Sequence, residues 1–168
     1  MSETPPPLQP ATPTQVQAGS FWRWLPQGMR RRWWLFRLFD WMARTRLIMR
    51  PRQGVLVIRM DGIGDMVLFR NSLDQYAEAF GVTASNIVVL GCKSWGAVAP
   101  EVFAGYRVML IDEHAYARRL FYRMWVNSRV RRMNVAITVC DAYFRRALMA
   151  DSLAQVAAAP RTIMSLPY

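Results

Sequence analysis

Cysteine, histidine, lysine, acidic residues and long apolar runs are all scarce in this 168-residue chain, and each scarcity narrows what it can be. The two cysteines, Cys92 and Cys140, each close an apolar run and lack metal-ligand spacing. Both read as buried, reduced thiols of a cytosolic protein. The single histidine, His114, has no partner of metal-ligating or nucleophilic type near it in sequence, and is not expected to be catalytic. No uncharged apolar run approaches the roughly 18–20 residues of a membrane span. The Pro- and Thr-rich start is no secretory signal. Eleven acids oppose 22 basic residues, for a net charge of +11, and of the basic residues only Lys93 is not arginine. Such an excess points to an anionic partner.

The charge is unevenly spread. Nine arginines before Gly54 face only Glu3 and Asp40, whereas the rest of the chain is mildly cationic. Residues 1–20 hold five prolines with Gln, Thr and Ser, and are expected to be disordered. Residues 21–53 carry five of the seven tryptophans, interleaved with arginine. A helix from about Arg30 to Ile48, stopped by Pro51, would line up Arg37, Asp40 and Arg44 on one side. Trp34, Leu35, Leu38, Trp41 and Met42 would fall on the other. Such a helix suits an anionic membrane surface, docking on the domain through its bulky apolar face, or, third, nucleic acid, for which no reading motif is visible.

From Gly54 the pattern alternates between strand and helix. Predicted strands are Val55–Arg59, Asn86–Leu90, Tyr106–Ile111, Val135–Val139 and a fifth near Arg161–Ser165. Between them fall helices at Met66–Phe80 (closed by Gly81), loosely at Ser94–Phe103, at Ala117–Arg131 and at Phe144–Ala158. Strands separated by helix-length segments imply an α/β fold: a Rossmann-like parallel sheet flanked by helices, over residues 54–168. The length suits one domain with a real core.

The richest stretch is Val55–Leu68, where a buried strand runs through Arg59 into Asp61-Gly62-Ile63-Gly64-Asp65. Gly62 and Gly64 would supply positive φ and let a ligand come close. The turn is not a dinucleotide fingerprint, since the third glycine position holds Val67, and no Gly-Lys-Ser/Thr of a P-loop follows. Asp65 would either cap the helix or stand free at the carboxyl edge of the sheet, where ligands of open α/β folds bind. Asp61 would orient a ligand, pair with Arg59 or stabilise the turn. Arg145 and Arg146, after the fourth strand, would hold an anionic group or lie solvated on the surface. Asp151 reads as an ordinary helix-surface acid.

Val57-Ile58-Arg59-Met60-Asp61-Gly62-Ile63-Gly64-Asp65-Met66-Val67-Leu68 resembles the first strand and loop of the family-9 glycosyltransferases, which include the ADP-heptose:lipopolysaccharide heptosyltransferases. Phe121-Tyr122-Arg123, Asn134-Val135-Ala136-Ile137, Tyr143-Phe144-Arg145 with Asp151, and Ala159-Pro160-Arg161-Thr162-Ile163 resemble later elements in the same order. The chain departs at Thr162-Ile163-Met164, where the family usually has Arg-Ile-Gly. The resemblance implies the N-terminal, acceptor-side half of a GT-B enzyme that inverts at the sugar's anomeric carbon without metal or cofactor. A nucleotide-sugar donor would be bound by a second domain. It also implies Asp65 as catalytic base; from their place at the same sheet edge, Asp61, Gly62, Gly64, Arg145 and Arg146 are expected around the acceptor. A carboxylate at a helix N-terminus stays ionised and is a weak base, so positioning would supply much of the rate. The expected protein is a transferase of surface-glycan synthesis, peripheral at the cytoplasmic face of the inner membrane through residues 21–50. Its acceptor would be a glycan or glycolipid. Lacking a donor domain, it is expected to be a truncated form, inactive alone. The alternative is a non-catalytic, membrane-associated binding module on the same scaffold.

Overall fold

A computed structural model describes residues 33–141 and 147–165. The proline-rich tail, the Trp/Arg segment through residue 32, and Arg145 and Arg146 lie outside the described residues. The element order is α1 (Trp33–Thr45), β1 (Val55–Ile58), α2 (Ile63–Phe80), β2 (Ile87–Cys92), α3 (Ala99–Val102), β3 (Arg107–Ile111), α4 (Glu113–Arg118), α5 (Leu120–Met133), β4 (Ile137–Cys140), α6 (Ser152–Ala157) and β5 (Arg161–Met164). All strand pairings are parallel and the strand order is β3-β2-β1-β4-β5, a Rossmann-like α/β sheet with β1 at its centre.

Centrality explains the composition of β1. All four of its residues are buried, because helices cover both faces of a parallel sheet and leave no room for a polar alternation. Successive side chains still point to opposite sides. Leu56 and Ile58 join Tyr116, Val126, Val130 and Leu153 from α4, α5 and α6. Val55 and Val57 join Met66, Leu73, Trp95 and Phe103 on the other face. Cys92 and Cys140 are buried and not joined in a disulfide.

Several boundaries differ from the sequence expectation. The segment expected as one helix over Ala117–Arg131 is two. Asp112 caps α4 by accepting from the Ala115 N–H at 2.8 Å, and Arg119 then adopts an extended conformation before α5 begins. Capping by Asp112 sets that start earlier than the apolar periodicity does. The loose Ser94–Phe103 segment reduces to a 3₁₀ turn, Lys93–Trp95, and the single turn of α3. The described part of the fourth helix is a π-helical turn, Ala147–Asp151, running into α6. Asn134, left-handed at the end of α5, donates to the carbonyls of Arg50 (2.7 Å) and Pro51 (3.2 Å), fixing the segment that leads into β1.

The first helix docks on the domain, but not by the face that its composition suggests. Phe36 and Asp40 are buried, whereas Trp34, Leu38, Trp41 and Met42 are exposed. The reason is a buried charge. Asp40 accepts two bonds from Arg123 (Nε 2.7 Å, Nη2 2.5 Å), one from Asn127 Nδ2 at 2.6 Å and one from Ser152 Oγ at 2.7 Å. Tyr116 extends the network, donating to Asn127 Oδ1 at 2.8 Å, while the Arg123 guanidinium lies between the rings of Tyr116 and Phe36. Arg123 and Asn127 are wholly buried, so they require this carboxylate far more than the tryptophans require cover. Removing one member of such a pair costs about 3–5 kcal/mol. Asp40→Ala is therefore expected to lower the unfolding free energy by about 3 kcal/mol and to release α1. Urea unfolding together with amide exchange across residues 36–44 measures both; unchanged protection there would show that α1 is held by other means.

Candidate active-site cleft

Arg59 follows β1 directly and organises the carboxyl edge of the sheet. Its N–H continues the ladder by donating to Leu90 O at 2.9 Å. Its guanidinium meets Asp61 at 2.7 Å, an ion pair without hydrogen-bond alignment, and Asp141 at 3.4 Å, and it also donates to the Asp141 carbonyl. The ring of Phe69 on α2 lies 4.5 Å beneath it. Asp141 is there because Ile58 and Cys140 are register partners, which sets the residues after β1 and β4 side by side. Tyr76 donates to the Asp141 carboxylate at 3.1 Å. Burial, reinforced by the negative charge and hydrogen bond of Asp141, pushes the Tyr76 hydroxyl up to about 12, so it stays a donor at neutral pH.

The loop after Arg59 is held from the other side by Trp95, whose indole N–H donates to the Asp61 carbonyl at 3.0 Å. Trp95 is fully buried against Gly91, where a Cβ would come within 2.1 Å of the indole ring. Gly91 is thus a packing requirement. Gly62 and Gly64 are not. Neither adopts positive φ, which among the described glycines occurs at Gly54, Gly81 and Gly105. The expectation for this turn is corrected because α2 begins at Ile63, three residues before the predicted start. Gly62 becomes its extended N-cap and Gly64 takes helical dihedrals. A Cβ at either position would meet nothing within 4 Å.

The early start also changes the place of Asp65. It lies in the first turn of α2, and no side chain caps the helix. Asp65 is exposed, and among the described residues its carboxylate makes no hydrogen bond or ion pair. It lines an open cleft of about 380 Å³ with Asp61, Gly62, Ser94, Glu113 and His114. These residues follow the carboxyl ends of β1, β2 and β3, the edge at which ligands of open α/β sheets bind. Among the described residues no three side chains of metal-ligating type converge.

The carboxylates differ in environment. Burial raises the Asp61 carboxyl above its ordinary range; Arg59 opposes this, and Asp65 and Asp141 add repulsion. Asp61 borders the cleft, but its side chain is engaged by Arg59 and its carbonyl by Trp95, so it holds the loop. Asp65 is left facing the open space. Such an arrangement can accept hydrogen bonds, or a proton, from a hydroxyl-bearing ligand at Asp65. Asp151 is partly buried beside α6 rather than lying on an open helix surface. His114 and Glu113, not anticipated as site residues, line the cleft because β3 ends beside β2.

No family model, curated protein or solved structure matches the chain. Fold and cleft define a class only: a parallel α/β unit with an acid-lined cleft at the carboxyl edge of its central strand.

The raised Asp61 carboxyl has a definite sign. A carboxyl that holds its proton more tightly folded than unfolded favours the fold at low pH. That contribution is lost as pH rises from about 3.8, the unperturbed value, through the folded one, and is constant above. Against an Asp61→Asn variant, the wild type is expected to lose stability over that interval. Urea midpoints of the pair between pH 3 and 7 measure the difference, and parallel curves would contradict it.

Proposed function

We propose that this chain is the acceptor-side half of an inverting glycosyltransferase of the family-9 type, with Asp65 as the base that activates an acceptor hydroxyl. The observation that carries this reading is the exposed Asp65 carboxylate, unpartnered among the described residues, beside two glycines at which a side chain would meet no neighbour. Glycine where a side chain would meet no neighbour is accounted for by the space it leaves to a ligand. Support comes also from the chemistry of the walls. Asp65, Glu113, Ser94 and His114 are hydrogen-bonding groups suited to a polyhydroxylated ligand, and the resemblance of residues 57–68 names the sugar transferases.

In the reaction, Asp65 takes the proton of an acceptor hydroxyl as that oxygen bonds to the anomeric carbon of the donor sugar. The bond from that carbon to the nucleotide phosphate breaks, its electron pair leaving with the phosphate, and the configuration inverts. Arg59 and Trp95 keep the loop, and with it Asp65, in place, since misplacement by an ångström is costly. Donor binding falls to a second unit, in the same polypeptide or a partner. The acceptor would be a glycan or glycolipid at the cytoplasmic face of the inner membrane. Among the described residues no helix is long and apolar enough to cross a membrane, so attachment there would be peripheral.

In an assembly that supplies donor binding, Asp65→Asn is expected to keep the fold and lower transfer about 10²–10⁴-fold. Gly62→Ala should leave the thermal midpoint unchanged and weaken acceptor binding. Undiminished turnover of the Asp65 variant would remove it as base. Acceptor binding without transfer would favour a non-catalytic binding module.

A further inference from the structure

We infer that the outward sides of α1 and α5 together form a membrane-seating surface that binds anionic lipid headgroups; this stands independently of the transferase reading. The two helices lie side by side and run in the same direction. Asp40 meets Arg123 and Asn127, and one turn further on Arg131 Nε donates to the Arg44 carbonyl at 3.2 Å. Both bury one side and display the other. On α1 the displayed side carries Trp34 (53% exposed), Leu38, Trp41 (60%) and Met42. On α5 it carries Phe121 (85%) and Trp125 (49%). Exposed aromatic and apolar side chains on both helices are of the kind that marks an interaction site.

Charge selects the occupant. Arg37 and Arg44 on α1, and Arg129 and Arg132 on α5, are exposed among these side chains, with Arg129 lying 5.1 Å over the Trp125 ring. Neither helix offers an exposed acid: Asp40 is consumed by Arg123, and α5 contains none. A second copy docked on the same face would bring arginine against arginine. A bilayer with anionic headgroups meets both requirements at once. Tryptophans settle at the headgroup boundary, and arginines reach phosphates while their stems lie on apolar surface. The Asp40–Arg123 pair thereby acquires a purpose beyond holding a helix: it fixes which side of α1 faces outward.

Co-sedimentation of the full chain with vesicles of neutral phosphatidylcholine, alone or mixed with anionic phosphatidylglycerol, tests this. Binding is expected to require the anionic lipid. It should weaken between 0.05 and 0.5 M salt, and fall about fivefold for each of Arg129→Gln and Arg132→Gln. Trp41→Ser and Trp125→Ser, both at exposed positions and checked for unchanged circular dichroism, should each weaken it about tenfold. Absence of binding at low salt, or binding that ignores both tryptophan substitutions, would overturn the inference. So would a dimer that Trp41→Ser dissociates, or tighter association with an oligonucleotide than with the vesicle.

Discussion

A single guanidinium at the tip of the central strand sets the geometry of the cleft. Arg59 lies between Asp61 and Asp141, over the ring of Phe69, and binds the loop after β1 to the end of β4. Two carboxylates compete for one cation, and both are partly withdrawn from water. Burial therefore outweighs attraction at Asp61, whose carboxyl is raised although its cation is 2.7 Å away. What that arrangement secures is position. With Asp61 tied down by Arg59 on one side and Trp95 on the other, α2 starts at a fixed point. Asp65, two residues into it, is left facing the open cleft.

The same physics works at larger scale where α1 meets the domain. Desolvating an apolar surface is favourable, but leaving Arg123 and Asn127 buried without a counter-charge is more unfavourable still. The helix consequently docks by its one carboxylate and turns Trp34 and Trp41 outward. Both the cleft and the aromatic surface thus owe their character to a buried Arg–Asp pair that satisfies itself and frees something else for use.

Much of the architecture was legible along the chain. Apolar runs, the glycine after Phe80 and the helix-length spacings pointed to five parallel strands with helices between them. Boundaries failed where the cap position, not apolar periodicity, marks them: Asp112 starts α4 early, and α2 begins at Ile63 with Gly62 at its N-cap. Of the cleft, Asp65 and the loop around it could be read from local pattern. Glu113 and His114 could not, because both follow β3, and only the order of strands brings that strand end near the first loop.

Sequence by itself determined the class of fold, the arginine excess ahead of Gly54 and the acid at the first strand-to-helix junction. These depend on residue type and short-range spacing, which no later packing can alter. Only the tertiary structure decided which face of α1 is buried, what Asp61 does, and that packing requires glycine at neither position 62 nor position 64. The first two are settled by groups remote in the chain, the last by the empty space that the folded backbone leaves around both positions.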